Sequence, residues 1–387
     1  MASVFDEIVD RSNTDSVKYM FWQGEGSAIP MWVADMDFKA PPEVSQALAR
    51  VARHGVFGYT DADQSYERAA CEWMRHNFGW AAKPDWNVRT PGVVFALAAA
   101  VRGLTDEGDA VLIQQPAYYP FMDVVNVNNR RLVVNELQLR GGRYEIDFED
   151  FEEKIRANGV KLFILCSPHN PVGRVWTREE LARMGEICLK YGVTVASDEI
   201  HADFVYSGFR HTVFADAAPP ALRDKIIVCT APSKTFNLAG LQTANIFIEN
   251  GKLRDAFSRE ILRTGYGQLN AMGLAATKAA YTHGQAWRDE MVAYLEESVN
   301  YVEETLAGTK IKLIRPEGTY LLWMDCRALG MDDDDLAEFF TEEASLWLHA
   351  GVTFGESGSG FMRMNIACPR SVLERAMGNV RRALAGL

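Results

Sequence analysis

Lys234 sits in the run SKTFNLAG (233–240), just after the apolar run IIVCT (226–230). An amine placed where a strand ends lies at the carboxyl edge of a parallel sheet, the edge at which open α/β sheets bind ligands. Most lysines are solvated surface cations. Lys234 departs from that pattern through its company: Ser233, Thr235 and Asn237 are short and polar, and Gly240 permits close backbone approach. Asp198, in VTVASDEIH (193–201), ends a second apolar run, so its carboxylate belongs at the same edge. A buried carboxylate takes a cationic partner or a proton, and a pyridinium nitrogen would be such a partner. In isolation the same residue would read as a helix N-cap or a loop acid.

Asn170 lies in LCSPHNPVGRVWT (165–177), where Pro168 and Pro171 bracket it and Gly173 closes the turn. A loop of that stiffness can aim the amide at a ligand oxygen, although Asn-Pro alone only marks a turn. In TPGVVFALAAAVRGL (90–104) a glycine turn opens an apolar helix. The free N–H groups of Gly92, Val93 and Val94 would suit a phosphate there, as they would any capped helix. Arg363 lies in the apolar run FMRMNIA (361–367), where a charge needs an anionic partner. Its planar fork is shaped for a carboxylate, either a ligand's or that of a neighbouring Asp or Glu. The glycine-rich GESGSGF (355–361) lacks the GK[ST] ending of a phosphate loop and reads as a flexible connection.

These residues need a scaffold that brings strand ends together. Apolar runs at 110–114, 131–135, 161–166, 193–197, 226–230 and 243–249 alternate with helical stretches such as 177–191, whose TREE start carries a capping box. Such alternation predicts an α/β architecture: a mostly parallel sheet covered by helices on both faces. Beyond about residue 250 long helices (268–281, 286–306) lead to strands at 311–314, 320–325 and 361–366 and a closing helix at 369–384, a smaller α+β unit. The expected division is an N-terminal arm and part of the small domain at 1–45, a large domain at 46–285 and a C-terminal small domain at 286–387. The arm, rich in Trp, Pro and Met, would pack on the small domain or on a second subunit.

The chain has 387 residues, of which 48% are hydrophobic and 24% charged, as in ordinary soluble proteins. A net charge of -12, spread along the chain, argues against nucleic acid or an anionic membrane as the main partner. The one dense acidic run, Asp332 to Asp335, reads as the solvated start of a helix. The start MASVFDEIVDR does not read as a signal peptide, and no apolar run has the length of a membrane span. Six scattered cysteines without a CxxC pair suggest buried free thiols, no metal site and a cytoplasmic protein.

The Gly turn, PxY, N-P-x-G, D-E-x-H, S-K-T and R-x-N motifs occur in an order that resembles the aspartate-aminotransferase-like (fold-type I) pyridoxal-phosphate enzymes along almost the whole chain. PMWVADMDF (30–38), HGVFGYT (54–60), CSPHNPVGRVW (166–176) and APSKTFNLAGLQTAN (231–245) are similar to the bacterial cystathionine β-lyase branch, which includes the PatB-type C–S lyases and the maltose-regulon modulator. The resemblance implies pyridoxal 5'-phosphate held by Lys234, with Asp198 on the pyridinium nitrogen, Asn170 on the ring hydroxyl oxygen and Tyr118 stacked on the ring. It gives the phosphate to the Val93 and Val94 amides, the Ser233 hydroxyl and Tyr59 of a second subunit, hence a homodimer with active sites at the interface. Arg363 would bind the α-carboxylate of an amino-acid substrate, and Trp32 and Asp35 would line the mouth.

Two positions depart from the wider aminotransferase pattern. His201 stands where many members have a tyrosine facing the ring, and Gln242 where many have a phosphate-binding arginine. Both suit the lyase branch. The implied reaction is β-elimination from L-cystathionine or related cysteine S-conjugates, giving pyruvate, ammonia and a thiol, with Lys234 as the base at Cα. Aminotransfer on the same residues is one alternative. A regulatory protein that binds a transcription factor is another.

Overall fold

The structure, a computed structural model, describes residues 3–20 and 28–387. Residues 1–2 and 21–27 of the expected arm lie outside the described residues. Seven strands form the large sheet: β1 (Asn87–Thr90), β2 (Ala110–Gln115), β3 (Arg131–Glu136), β4 (Leu162–Cys166), β5 (Thr194–Asp198), β6 (Ile226–Thr230) and β7 (Ala244–Phe247). Their order is β1-β7-β6-β5-β4-β2-β3. All pairings from β6 through β3 are parallel, whereas β7 runs antiparallel to both β6 and β1. Runs such as LFILC and IIVCT are buried at every position, as strands covered on both faces must be.

Helices α1 (Val93–Leu104) and α2 (Arg178–Tyr191) show how the sequence sets the covering layers. In α1 the small residues Ala96, Ala99 and Ala100 are buried, so the helix lies close against the strands. In α2 the Thr177 side chain accepts from the Glu180 N–H and Glu180 accepts from the Thr177 N–H, which is the expected capping box. Asp332 likewise caps the helix Asp333–Glu338, as the acidic run suggested.

The small sheet comprises β8 (Lys312–Ile314), β9 (Leu321–Asp325), β10 (His349–Ala350) and β11 (Phe361–Asn365), antiparallel throughout in the order β8-β9-β11-β10. Helices α3 (Gln285–Leu306) and α4 (Arg370–Ala385) contribute Met291, Leu295, Val299, Leu373 and Met377 to its core. Phe5, Met31, Met36 and Phe38 of the arm enter the same core, and Ile29–Pro30 pairs in parallel with Leu346–Trp347. The described part of the arm therefore packs on the small sheet.

The expectation that 355–361 forms a flexible connection is corrected. Two short turns, Gly351–Phe354 and Glu356–Gly358, pack backbone to backbone, and a Cβ on Gly351 or Gly358 would collide with the other's carbonyl oxygen. These glycines serve close approach rather than freedom. All six cysteines are free and buried, and among the described residues no helix is long and apolar enough to cross a membrane.

The loop carrying Asn170 is clamped from behind. Gly173 has φ +72°, its N–H donates to His169 and its carbonyl accepts from Glu317 N–H. A Cβ there would lie 2.6 Å from Pro316 Cβ and 2.9 Å from its Cα. Gly173→Ala is expected to destabilise the protein by roughly 2–4 kcal/mol, from the left-handed backbone and the overlap together. A denaturant midpoint equal to wild type would show that the loop relaxes freely.

Candidate active site

The strand register collects the chemistry. Cys166 is opposite Asp198, and Asp198 opposite Cys229, so β4, β5 and β6 end side by side. Their loops deliver Asn170, Asp198 with His201, and Ser233 with Lys234. The loop after β2 adds Tyr118, and the turn after β1 brings the start of α1. A cavity of about 400 Å³ lies at this edge, lined by Gly92, Val93, Val94, Tyr118, Asn170, Asp198, His201, Ser233 and Lys234. No side chain caps α1, so its first-turn N–H groups lie open beside the Ser233 hydroxyl.

Lys234 Nζ donates to the Ala34 carbonyl at 2.6 Å and has no carboxylate partner among the described residues. Burial, then repulsion from Arg363, lowers its pKa to about 8 against the pull of Asp35 and Asp198. The Asp198 carboxylate accepts one bond, from Ile200 N–H at 3.1 Å, and no described cation is bonded to it. Burial raises its carboxyl to about 7, opposed by that N–H and by Lys234. His201 is driven down to about 3 by burial, with Lys234 and Arg363 adding to the effect, so its ring is neutral and its Nδ1 has no partner. Tyr118 is pushed up to about 12, chiefly by burial.

Arg363 is 2% exposed and bonded only to neutral groups. Nη1 donates to Asn170 Oδ1 at 3.0 Å, and Nη2 to the Trp32 carbonyl at 2.8 Å and to His349 Nδ1 at 3.2 Å, while Nε has no partner among the described residues. The Asn170 amide oxygen is thereby taken, which leaves its NH2 for the cavity. Trp32 and Asp35 do not line the cavity themselves. The Trp32 ring stacks on Trp347, and the Asp35 carboxylate is bound by Arg11 at 2.6 Å. Tyr59 is fully exposed and lies outside the cavity of its own chain.

Several contributors carried no signal that sequence reading used. Ala34 acts through a carbonyl, and Tyr320 donates to that same carbonyl at 3.0 Å. His349 reaches Arg363 from the neighbouring strand. Asn237, noted only as a short polar neighbour of Lys234, accepts from Met36 N–H and donates to the Met36 and Phe38 carbonyls, which pins the arm to the lysine loop. Asn365, the end of the R-x-N motif, donates to the Val33 and Asp35 carbonyls.

The residues present fit pyridoxal phosphate. The deciding observation is the buried Asp198 carboxylate, which lacks the countercharge that a protonated ring nitrogen would bring.

A family model described as aminotransferase class I and II matches residues 29–380. The chain is 42% identical to cystathionine beta-lyase PatB of Bacillus subtilis, covering 98% of this chain and 100% of that protein. The crystal structure of cystalysin from Treponema denticola, which contains a pyridoxal 5'-phosphate cofactor, superposes with a TM-score of 0.96 at 36% identity, over 100% of both chains. The pyridoxal-phosphate-bound C–S lyase of Staphylococcus hominis gives 0.93 at 34%, over 99% of this chain and 98% of that one. With its strand-end lysine and carboxylate on that shared scaffold, the chain belongs to the class I and II aminotransferase family.

Proposed function

We propose that this chain is a pyridoxal-phosphate-dependent carbon–sulfur β-lyase that cleaves L-cystathionine or related cysteine S-conjugates to pyruvate, ammonia and a thiol. The observation that carries the reading is a half-buried, carbonyl-held Lys234 amine lining the same cavity as an uncompensated Asp198, in a chain 42% identical along its length to a cystathionine beta-lyase. Lys234 is the attachment point. Asp198 holds its charge against the ring nitrogen, the Asn170 NH2 serves the ring hydroxyl oxygen, Tyr118 stacks on the ring and His201 lies beside it as a neutral group. The Val93 and Val94 amides and the Ser233 hydroxyl hold the phosphate, and Tyr59 of a second subunit completes that set. Arg363 takes the substrate α-carboxylate, with the Trp32 backbone carbonyl holding its guanidinium and the Asp35 side chain turned outward.

Bound there, the cofactor supplies a sink for negative charge developing at the substrate Cα. Lys234 Nζ takes the Cα proton, and its lowered basicity leaves a usable neutral fraction close to neutral pH. Arg363 fixes the carboxylate and so the direction in which the Cα–H bond points. The thiolate then leaves from Cβ. The same residues would serve amino-group transfer, which needs a 2-oxo acid acceptor where β-elimination needs none.

The working unit in this reading is a homodimer in a reducing cytoplasm. Support comes from Tyr59, Val56 and Phe57, large side chains left exposed on one short run, and from six buried free thiols. Residues 46–285 form the cofactor-binding unit, and 1–45 with 286–387 the smaller one.

The cofactor-loaded protein is expected to release pyruvate steadily from L-cystathionine with no 2-oxo acid present, and Lys234→Ala to lower that rate about a thousandfold. Release by the variant at the native rate would sink the mechanism. Mixing Tyr59→Ala with Lys234→Ala protomers should restore about a quarter of wild-type activity, because each mixed dimer regains one intact site if Tyr59 crosses over. No recovery would place Tyr59 in its own subunit's site or in none. In the cofactor-free protein the raised Asp198 carboxyl keeps a proton that the unfolded chain loses above its ordinary value of 3.8. That contribution to stability is complete below 3.8 and vanishes as pH rises through about 7. The denaturation midpoint should therefore fall further from about pH 5 to about pH 8 for wild type than for Asp198→Asn. Parallel pH profiles would mean that Asp198 titrates normally.

A further inference from the structure

We infer that His349 is the positioning residue for the substrate carboxylate: its ring accepts from Arg363 and fixes the guanidinium without cancelling its charge. The inference rests on the reading of Arg363 as the carboxylate-binding group and adds the residue that aims it.

The placement is set by the backbone. His349 on β10 is the direct cross-strand partner of Arg363 on β11. Residues opposite each other in an antiparallel pair have Cβ atoms about 5 Å apart on the same face, so the two side chains must meet. Nη2 lies 3.2 Å from Nδ1. A guanidinium has no acceptor, so Nδ1 accepts and the ring proton sits on Nε2. Burial and the adjacent Arg363 charge keep the ring neutral, with a pKa near 3.

The other bonds show what the imidazole is for. Arg363 is bonded to the Asn170 amide oxygen, the Trp32 carbonyl and His349, and the Phe354 ring lies 4.7 Å from its carbon centre. Each partner is neutral. An Asp or Glu at position 349 would hold the guanidinium more strongly, but it would also spend the charge a substrate carboxylate needs. A neutral acceptor fixes the fork and leaves Nε, which has no partner among the described residues, with its donor free. The ring is itself held by aromatic neighbours, Phe354 at 5.0 Å and Tyr119 at 5.7 Å between centroids.

The test is a pair of titrations on the cofactor-loaded protein, followed by cofactor absorbance. One ligand is L-methionine, whose sulfur is on Cγ and so closed to β-elimination. The other is 3-(methylthio)propylamine, the same molecule without its carboxylate. His349→Phe, which keeps the ring and removes the acceptor, should weaken L-methionine about tenfold or more and leave the amine within about twofold. His349→Asn, whose Oδ1 can stand where Nδ1 stood, should return L-methionine to within about threefold of wild type. Equal weakening of both ligands, no weakening of either, or failure of His349→Asn to restore binding would each overturn the assignment. Neither ligand can lose a thiolate from Cβ, so the result is independent of pyruvate release from L-cystathionine, and the two readings can fail separately.

Discussion

Asp198 and the half-buried Lys234 line one cavity, Arg363 is buried behind it with a bond to Asn170 of the lining, and the described protein bonds only neutral groups to all three. Removing a charge from water costs several kcal/mol even after relaxation, and all three groups respond by shifting toward their neutral forms. Most other buried charges are paired, although among the described residues the buried Asp203 is bonded only by Trp73 Nε1 and the Thr235 hydroxyl. Arg174, just as deeply buried, is bonded to Glu180 and Glu317, Lys18 is bonded to Asp37, and the buried Glu199 is met by His211. At the cavity the charges are instead left without a bonded countercharge among the described residues. A ring nitrogen and a substrate carboxylate would supply the two missing signs.

Open charges require stiff surroundings, since a mobile one would find water or a countercharge. The stiffness comes from the joint between the two sheets. Asn170, on a loop of the large sheet, accepts from Arg363 on the small one. The same loop is locked against Pro316 through Gly173 and against Glu317 through Arg174 and the Val175 N–H. Asn237 ties the lysine loop to Met36 and Phe38; Asp37 N–H between them donates to the Ala367 carbonyl, and Asn365 holds Val33 and Asp35 just upstream against the small sheet. The guanidinium of Arg363 and the amine of Lys234 are therefore set on one framework.

The sequence made the strand ends legible because a parallel strand buried on both faces is a continuous apolar run, and the residue that breaks the run marks the edge. Asp198, Lys234 and the Asn170 loop were found that way, and the strands of 110–114, 131–135, 161–166 and 226–230 are present to within one residue. The short β1, NVRT, is polar at three of its four positions and buried only at Thr90, so it makes no such run, and strand direction leaves no local mark, so the reversal at β7 is not visible. His349 escaped because its role comes from register on a two-residue strand. Ala34 escaped because a carbonyl has no letter. The glycines of 355–361 were misread because composition is the same for a loose connection and for two backbones in contact.

The segment 32–36 shows how charges outside the cavity shape the one within. Its side chains and the neighbouring Asp37 form a network with Arg11 and Lys18, in which Asp35 and Asp37 each bond Arg11 and Asp37 also bonds Lys18. Its backbone faces the other way, offering the Trp32 carbonyl to Arg363 and the Ala34 carbonyl to Lys234. A carbonyl dipole orients a cation without neutralising it, whereas an inward Asp35 carboxylate would raise the Lys234 pKa and occupy the amine. Arg11 engages that carboxylate and keeps it on the outer side. The acidic pair near the site is thus held by arm cations, and this segment turns only carbonyl oxygens toward the amine of Lys234 and the guanidinium of Arg363.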